Sequence, residues 1–244
     1  MIPKGLLQDK IKIIYKKIYP YIFRTPLVNG YENINQDLGT NIFLKYECFQ
    51  KSGSFKIRGA LNNILSLDKN ILKKGITAVS AGNHAIASSY VANLFNLKNK
   101  IFMYESANPF RVKTCKNLNA NLNFTDPENA FKNVKLAEKE GFTFIHPFDG
   151  LKTLQGSATL GLEIVNQIKN YNVNIDNIII AVGGGGLISG IGALIKQYYP
   201  NIKLIGVEPK GAKGMTESLK NNKILNKVEV NSIADSLCAP LHMP

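Results

Sequence analysis

Residues 51–60 read KSGSFKIRGA, and the rest of the chain takes its meaning from this run. Ser52 and Ser54 are residues of the N-cap type, and Ile57, Ala60, Leu61, Ile64 and Leu65 follow at the spacing of one buried helical face. The pattern predicts a helix with Lys56 in its first turn. An ammonium there meets the positive end of the helix dipole, and burial beside the apolar face adds a desolvation cost, so both effects favour the neutral amine. A neutral lysine amine is a nucleophile, the state that forms an imine with an aldehyde. Most lysines near helix starts are solvated side chains lying along their own stems. Lys56 differs in its company: a glycine turn, two hydroxyl residues and two anion-cradling loops downstream.

Outward from this run the pattern alternates. Upstream, Ile11, Ile14, Tyr15 and Ile18 predict an amphipathic helix over 6–19 closed by Pro20. RTPL at 24–27 is extended, because a residue before proline avoids the helical region, and 41–47 is a strand leading into the lysine turn. Downstream, strands over 75–80, 100–104, 122–124 and 143–148 alternate with helices over 85–95, 109–118 and 128–140. A second series follows HPFDG at 146–150: helix 156–169, strand 178–182, helix 187–198 and strand 203–207. Such alternation predicts an α/β fold, two lobes of parallel-type sheet flanked by helices. HPFDG marks the boundary, with a small lobe over 50–148 and a large cofactor-binding lobe built from 1–49 and 149–244. Residues 231–244 read as loop with no closing strand or helix, so the C-terminal part of the fold is expected to be missing.

Two loops follow strands where open α/β sheets hold ligands. IIIAVGGGGL at 178–187 runs a buried strand into Gly183, Gly184, Gly185 and Gly186 and then a helix at Leu187. Glycines let several N–H groups converge and the helix start adds partial positive charge, which together make a phosphate site. A rival reading takes Gly184, Gly186 and Gly190 with Glu208 as a dinucleotide site, the carboxylate holding a ribose in an oxidoreductase module. SAGNHA at 80–85 offers helix-start amides with Ser80, Asn83 and His84 for a carboxylate or a polar ring edge; the plainer alternative is a helix capped by Asn83, with His84 on the surface.

Composition narrows the class. Hydrophobic residues at 45% and charged residues at 19% describe a globular chain, with no apolar run of the length a membrane helix needs and no secretory signal pattern, so the expected compartment is the cytoplasm. The net charge of +13 comes from dispersed lysines rather than a basic patch, so no nucleic-acid partner is expected. Cys48, Cys115 and Cys238 are odd in number and widely spaced, which argues against disulfides and zinc and for small buried residues.

SGSFKIRGA, SAGNHA and VGGGGL, in this order, resemble the pyridoxal-phosphate enzymes of fold type II, the tryptophan-synthase-β type, and among them the serine/threonine dehydratase and serine racemase family. RTPL, HPFD at 146–149, VEP at 207–209 and IAD at 233–235 extend the resemblance over nearly the whole chain. It implies pyridoxal 5'-phosphate bound to Lys56 through an imine, its ring hydroxyl met by Asn83 and its phosphate by Gly183, Gly184, Gly185, Gly186 and Leu187. Ser80, Ala81, Asn83 and His84 would hold the carboxylate of a small amino-acid substrate. The implied reaction is β-elimination from L-threonine or L-serine to a 2-oxo acid and ammonia, by a homo-oligomer, dimer or tetramer, with Lys56 removing the α-proton. Ile57 matches the dehydratases, since cysteine and threonine synthases carry an acidic residue soon after the lysine. Racemases of the family carry serine where this chain has Ala81, so elimination is expected over racemisation. Ile86 stands where the family often has Gln, and the metal site that some members build after VEP wants an acidic residue near Gly214, so no metal is expected. The family continues beyond this length and supplies from there the group facing the pyridine nitrogen; a shortened inactive fragment, or a chain completed by a partner, is the remaining expectation.

Overall fold

The amphipathic start forms α1 (Gln8–Ile18), which buries Ile11, Ile14 and Ile18 and passes into a 3-10 turn at Tyr19–Tyr21. The computed structural model describes residues 2–30, 32–225 and 229–239. β1 (Leu27–Asn29) pairs antiparallel with β2 (Phe43–Lys45), and α2 (Glu32–Leu38), a short polar helix absent from the sequence reading, joins them. The strand expected over 41–47 is thus three residues long: the chain enters a 3-10 turn at Glu47–Phe49.

α3 (Lys56–Ile64) begins at the lysine. Neither serine caps it. Phe55 occupies the N-cap in helical conformation, Ser52 Oγ donates to the Ser54 carbonyl at 3.3 Å, and Ser54 Oγ is buried with no partner among the described residues. After α4 (Lys69–Leu72) come β3 (Ile76–Val79), α5 (Asn83–Leu94), β4 (Asn99–Tyr104), α6 (Pro109–Asn117), β5 (Leu122–Thr125), α7 (Pro127–Lys139) and β6 (Thr143–Phe144). These four strands make one parallel sheet in the order β5-β4-β3-β6. α6 and α7 start on good local signals: Asn108 and Asp126 accept backbone N–H groups of Phe110 and Asn129, and each is followed by proline at the first helical position.

α8 (Leu151–Tyr171) follows, then β7 (Asn177–Ala181), α9 (Gly186–Tyr198), β8 (Lys203–Val207) and α10 (Gly214–Lys220). β7 and β8 pair in parallel. One face of this pair, with Ile180, packs on α8 and α9, while Ile179, Ile205 and Val207 on the other face are exposed. The expected loop over 231–244 contains a 3-10 turn at Asp235–Leu237, and residues 240–244 lie outside the described ones. Of the cysteines, only Cys115 is buried; Cys48 is exposed because it sits on the turn before the lysine run.

α8 begins five residues before its predicted start, and Gly156 within it is a crossing point rather than a boundary. A β-carbon on Gly156 would lie 2.5 Å from the carbonyl of Arg58 and from Gly59 Cα, so α8 and α3 touch backbone to backbone. Asn62 Nδ2 donates to the Lys152 carbonyl at 2.8 Å and Asn63 Nδ2 to Thr153 Oγ1 at 3.0 Å, fixing the register. Gly156→Ala must force these helices apart, and we expect it to lower stability by about 1–3 kcal/mol, the range for overpacking a tight core. Chemical denaturation of the variant measures this; a loss below a few tenths would mean the crossing is slack.

Candidate active site

A cleft of about 270 Å³ lies at the carboxyl ends of β3 and β7, where the chain leaves each strand for a helix. Lys56, Ser80, Ala81, Asn83, His84, Gly183, Gly184, Gly185, Gly186 and Leu187 all border it, so residues more than a hundred positions apart face one space. A larger depression of about 520 Å³ beside residues 175–177 and 198–203 lies at the opposite ends of β7 and β8 and gathers none of them.

Lys56 is the first residue of α3, and its Nζ donates to the Pro147 carbonyl at 2.5 Å. The amine lies 5.0 Å from the centroid of the Phe55 ring, and no carboxylate among the described residues pairs with it. Burial lowers its pKa from 10.5 to about 8. A desolvated amine without a counter-ion gives up its proton easily, as the apolar spacing of α3 required.

The glycine turn is built by close approach. A β-carbon at Gly184 would lie 2.3 Å from the Phe148 ring and one at Gly186 would lie 2.4 Å from the Phe148 carbonyl, while Gly185 has φ +84°. No acceptor among the described residues takes the N–H groups of Gly183, Gly184 or Gly185, and α9 starts directly after them without a side-chain cap. These unpaired donors at a helix start form a concave site for an anion.

The second loop repeats the device. Ser80 Oγ accepts from Gly82 N at 3.0 Å and so shapes the turn, and among the described residues the N–H groups of Ala81, Asn83 and His84 have no acceptor. Asn83 is the first residue of α5, not its cap, which is Gly82. The His84 ring is not on the surface: it is buried, its Nε2–H donates to the Ile145 carbonyl at 2.8 Å, and burial, with the charge of Lys56, pushes its pKa down to about 3. His84 therefore offers the cleft its backbone donor while its neutral ring ties α5 to the strand end.

Glu208 does not border the cleft. Its carboxylate accepts from Met215 N at 2.9 Å and Thr216 N at 2.7 Å, capping α10, so both of its oxygens are already engaged. The sequence does not mark as site residues the 146–149 turn, Tyr104 and Phe131, which border the cleft or its wall, or Arg111, whose guanidinium pairs with Asp235 and Ser236 across the mouth. The signal for the turn was the proline and glycine of HPFDG, used in the sequence only as a boundary.

The family profile described as pyridoxal-phosphate dependent enzyme matches residues 18–244. The chain belongs to the pyridoxal-phosphate-dependent enzyme family. Within this family it is similar to phenylserine dehydratase of Ralstonia pickettii, 39% identical over 204 residues, covering 83% of this chain and 61% of the relative. Serine racemase of Oryza sativa subsp. indica is 36% identical over 228 residues, covering 91% and 65%. Among solved structures of the family, the threonine deaminase of T.th. superposes with a TM-score of 0.90 at 32% identity, covering 96% of this chain and 76% of that one. The chain thus spans under two thirds of the length of these two relatives. The fold is that of the type II pyridoxal-phosphate enzymes, an α/β fold of parallel sheets flanked by helices. Among the described residues no helix is long and apolar enough to cross a membrane. The donor set fits the family's cofactor: an easily deprotonated amine for the aldehyde, and unpaired amides for the phosphate.

Proposed function

We propose that this chain binds pyridoxal phosphate in the cleft and eliminates the β-hydroxyl of L-threonine or L-serine, giving a 2-oxo acid and ammonia. The observation that carries the reading is one cleft that joins the desolvated amine of Lys56 to two sets of unpaired backbone donors. Lys56, Asn83, Gly183, Gly184, Gly185, Gly186 and Leu187 would hold the cofactor, and Ser80, Ala81, Asn83 and His84 the substrate carboxylate. Bound there, pyridoxal phosphate supplies the electron sink that makes the α-proton of an amino acid removable.

The chain's own residues do the rest. Lys56, with its pKa near working pH, takes and returns a proton at Nζ. The N–H groups of residues 81, 83 and 84 orient the carboxylate. Ala81 has no ionisable atom, so nothing at that position delivers a proton to the substrate, which favours elimination over racemisation. We retain the two-lobe division, with 50–148 as the small lobe, a homo-oligomeric dimer or tetramer as the assembly, and the cytoplasm as the compartment.

Phe131, Tyr104 and Val79 give one wall of the cleft an aromatic and apolar lining, which favours a second substrate reading, a 3-hydroxy amino acid with a bulky β-substituent such as phenylserine. The test adds pyridoxal phosphate to the purified chain, follows visible absorbance and its loss on borohydride reduction, and assays 2-oxo acid from serine, threonine and phenylserine. Colour with turnover of one of the three is expected; absence of a borohydride-sensitive band would refute the reading. Ala81→Ser is expected to raise conversion of L-serine to D-serine by about tenfold or more, since it supplies a proton-carrying group, as chiral chromatography would detect.

A further inference from the structure

We propose that His146 is a positioning residue whose ring builds the 146–149 turn that sets both the lysine amine and the glycine turn. The inference rests on the cofactor reading above for its importance, but on its own contacts for its geometry. His146 does not border the cleft and touches it only through its neighbours.

His146 Nδ1 accepts two backbone N–H groups, from Asp149 at 2.9 Å and Phe148 at 3.3 Å. This arrangement requires Nδ1 to be unprotonated. The surroundings keep it so: burial lowers the pKa of the ring, and the charge of Lys56 lowers it further against the opposing pull of Asp149. The ring is held in turn by aromatic neighbours, Phe148 perpendicular at 4.7 Å, Phe144 at 5.4 Å and Phe131 at 6.4 Å between centroids.

Two functional contacts depend on this turn. Pro147, with its fixed φ, points its carbonyl at Lys56 Nζ, 2.5 Å away. Phe148 packs its ring over Gly184 and its carbonyl over Gly186, closely enough that neither position has room for a β-carbon. One imidazole therefore registers the amine and the anion site against each other, and small misplacement of such groups is costly.

An asparagine at this position can replace the ring's role, because its side-chain oxygen accepts backbone N–H groups two and three residues on. Phenylalanine keeps the aromatic packing and removes the acceptor. The experiment compares His146→Asn and His146→Phe with the natural chain in two readouts: the fraction of chain trapped at Lys56 by borohydride at sub-saturating pyridoxal phosphate, and amide hydrogen exchange at Phe148 and Asp149 without cofactor. We expect Asn to stay within about twofold of the natural chain, and Phe to weaken cofactor uptake about tenfold or more and speed exchange at both amides, with a thermal midpoint within a few degrees. An Asn variant as defective as Phe, or a Phe variant like the natural chain, overturns the proposal. Should Phe fail to fold, the Asn variant decides alone: natural uptake supports the assignment, and a tenfold loss sinks it. If the natural chain itself traps no cofactor, the proposed function fails, while the exchange contrast still tests the turn.

Discussion

Replacing Lys56 by methionine is expected to yield a chain that is more stable than the natural one at pH 7 and takes up no pyridoxal phosphate. The pKa of Lys56 falls from 10.5 to about 8 in the folded chain. Between these values the unfolded chain binds the proton that the folded chain has released, so stability contributed at this site rises with pH across the window. Below pH 8 the full cost of burying the charge is present, about 3 kcal/mol at about 1.4 kcal/mol per pKa unit. Methionine fills the same space without that cost but loses the hydrogen bond to Pro147, about 1 kcal/mol. The net gain is about 2 kcal/mol at pH 7, and it should fade as pH climbs towards 10.5. Denaturant unfolding of both proteins without cofactor, at pH 7 and pH 10, reads it. A methionine variant weaker than the natural chain at pH 7 would mean that the amine is solvated. Turnover should fall by at least about 10³-fold, since the proton-carrying group is gone.

Arg58→Met is expected to be the most damaging substitution outside the cleft. The guanidinium is fully buried and grips two carboxylates, Glu163 at 2.9 and 3.0 Å and Glu47 at 2.8 and 2.8 Å. Lys45 completes the cluster at 2.7 Å from Glu163 and also donates to the carbonyl of Thr25. Removing Arg58 leaves two acidic groups facing one amine in the interior, and breaking a buried pair in this way costs about 3–5 kcal/mol. The loss should be visible as a fall in thermal midpoint and in cofactor uptake together, because Arg58 lies two residues beyond Lys56 on the same helix. Adding Glu163→Met to the variant should recover part of the stability, since the orphaned carboxylate is then gone. A double variant no better than the single one would show that packing, not charge, holds α3 on α8. Arg58→Lys should not rescue, because an ammonium cannot make the paired bonds to both carboxylates.

The lysine helix was legible because its information is local: an apolar spacing of three and four residues, and a glycine turn ahead of it. The parallel alternation was legible for the same reason, and the helices starting at Pro109 and Pro127 carry their own caps. Reading failed where a distant group decides. The strand forecast over 143–148 ends at Phe144, since the aromatic alternation through His146 and Phe148 imitates a strand while the imidazole folds the chain into a turn. α10 depends on Glu208 seven and eight residues away, so its start carries no local signal, and the rival dinucleotide reading took its cap for a ribose ligand. The alternative that left His84 on the surface fails, because nothing nearby in the chain announces the Ile145 carbonyl that draws its ring inward. The serines before Lys56 have the composition of caps, but Phe55 takes that place, and Ser54 is left buried without a partner among the described residues.

The two strands β7 and β8 present Ile179, Ile205 and Val207 to water, although parallel strands are ordinarily covered on both faces. A charge of +13 on each molecule opposes the approach of two such strips. That repulsion is screened within about 8 Å at physiological ionic strength and about 3 Å in molar salt. Adhesion through these strips, beyond the proposed assembly, is therefore expected to grow as salt is raised, as light scattering across a salt series would read.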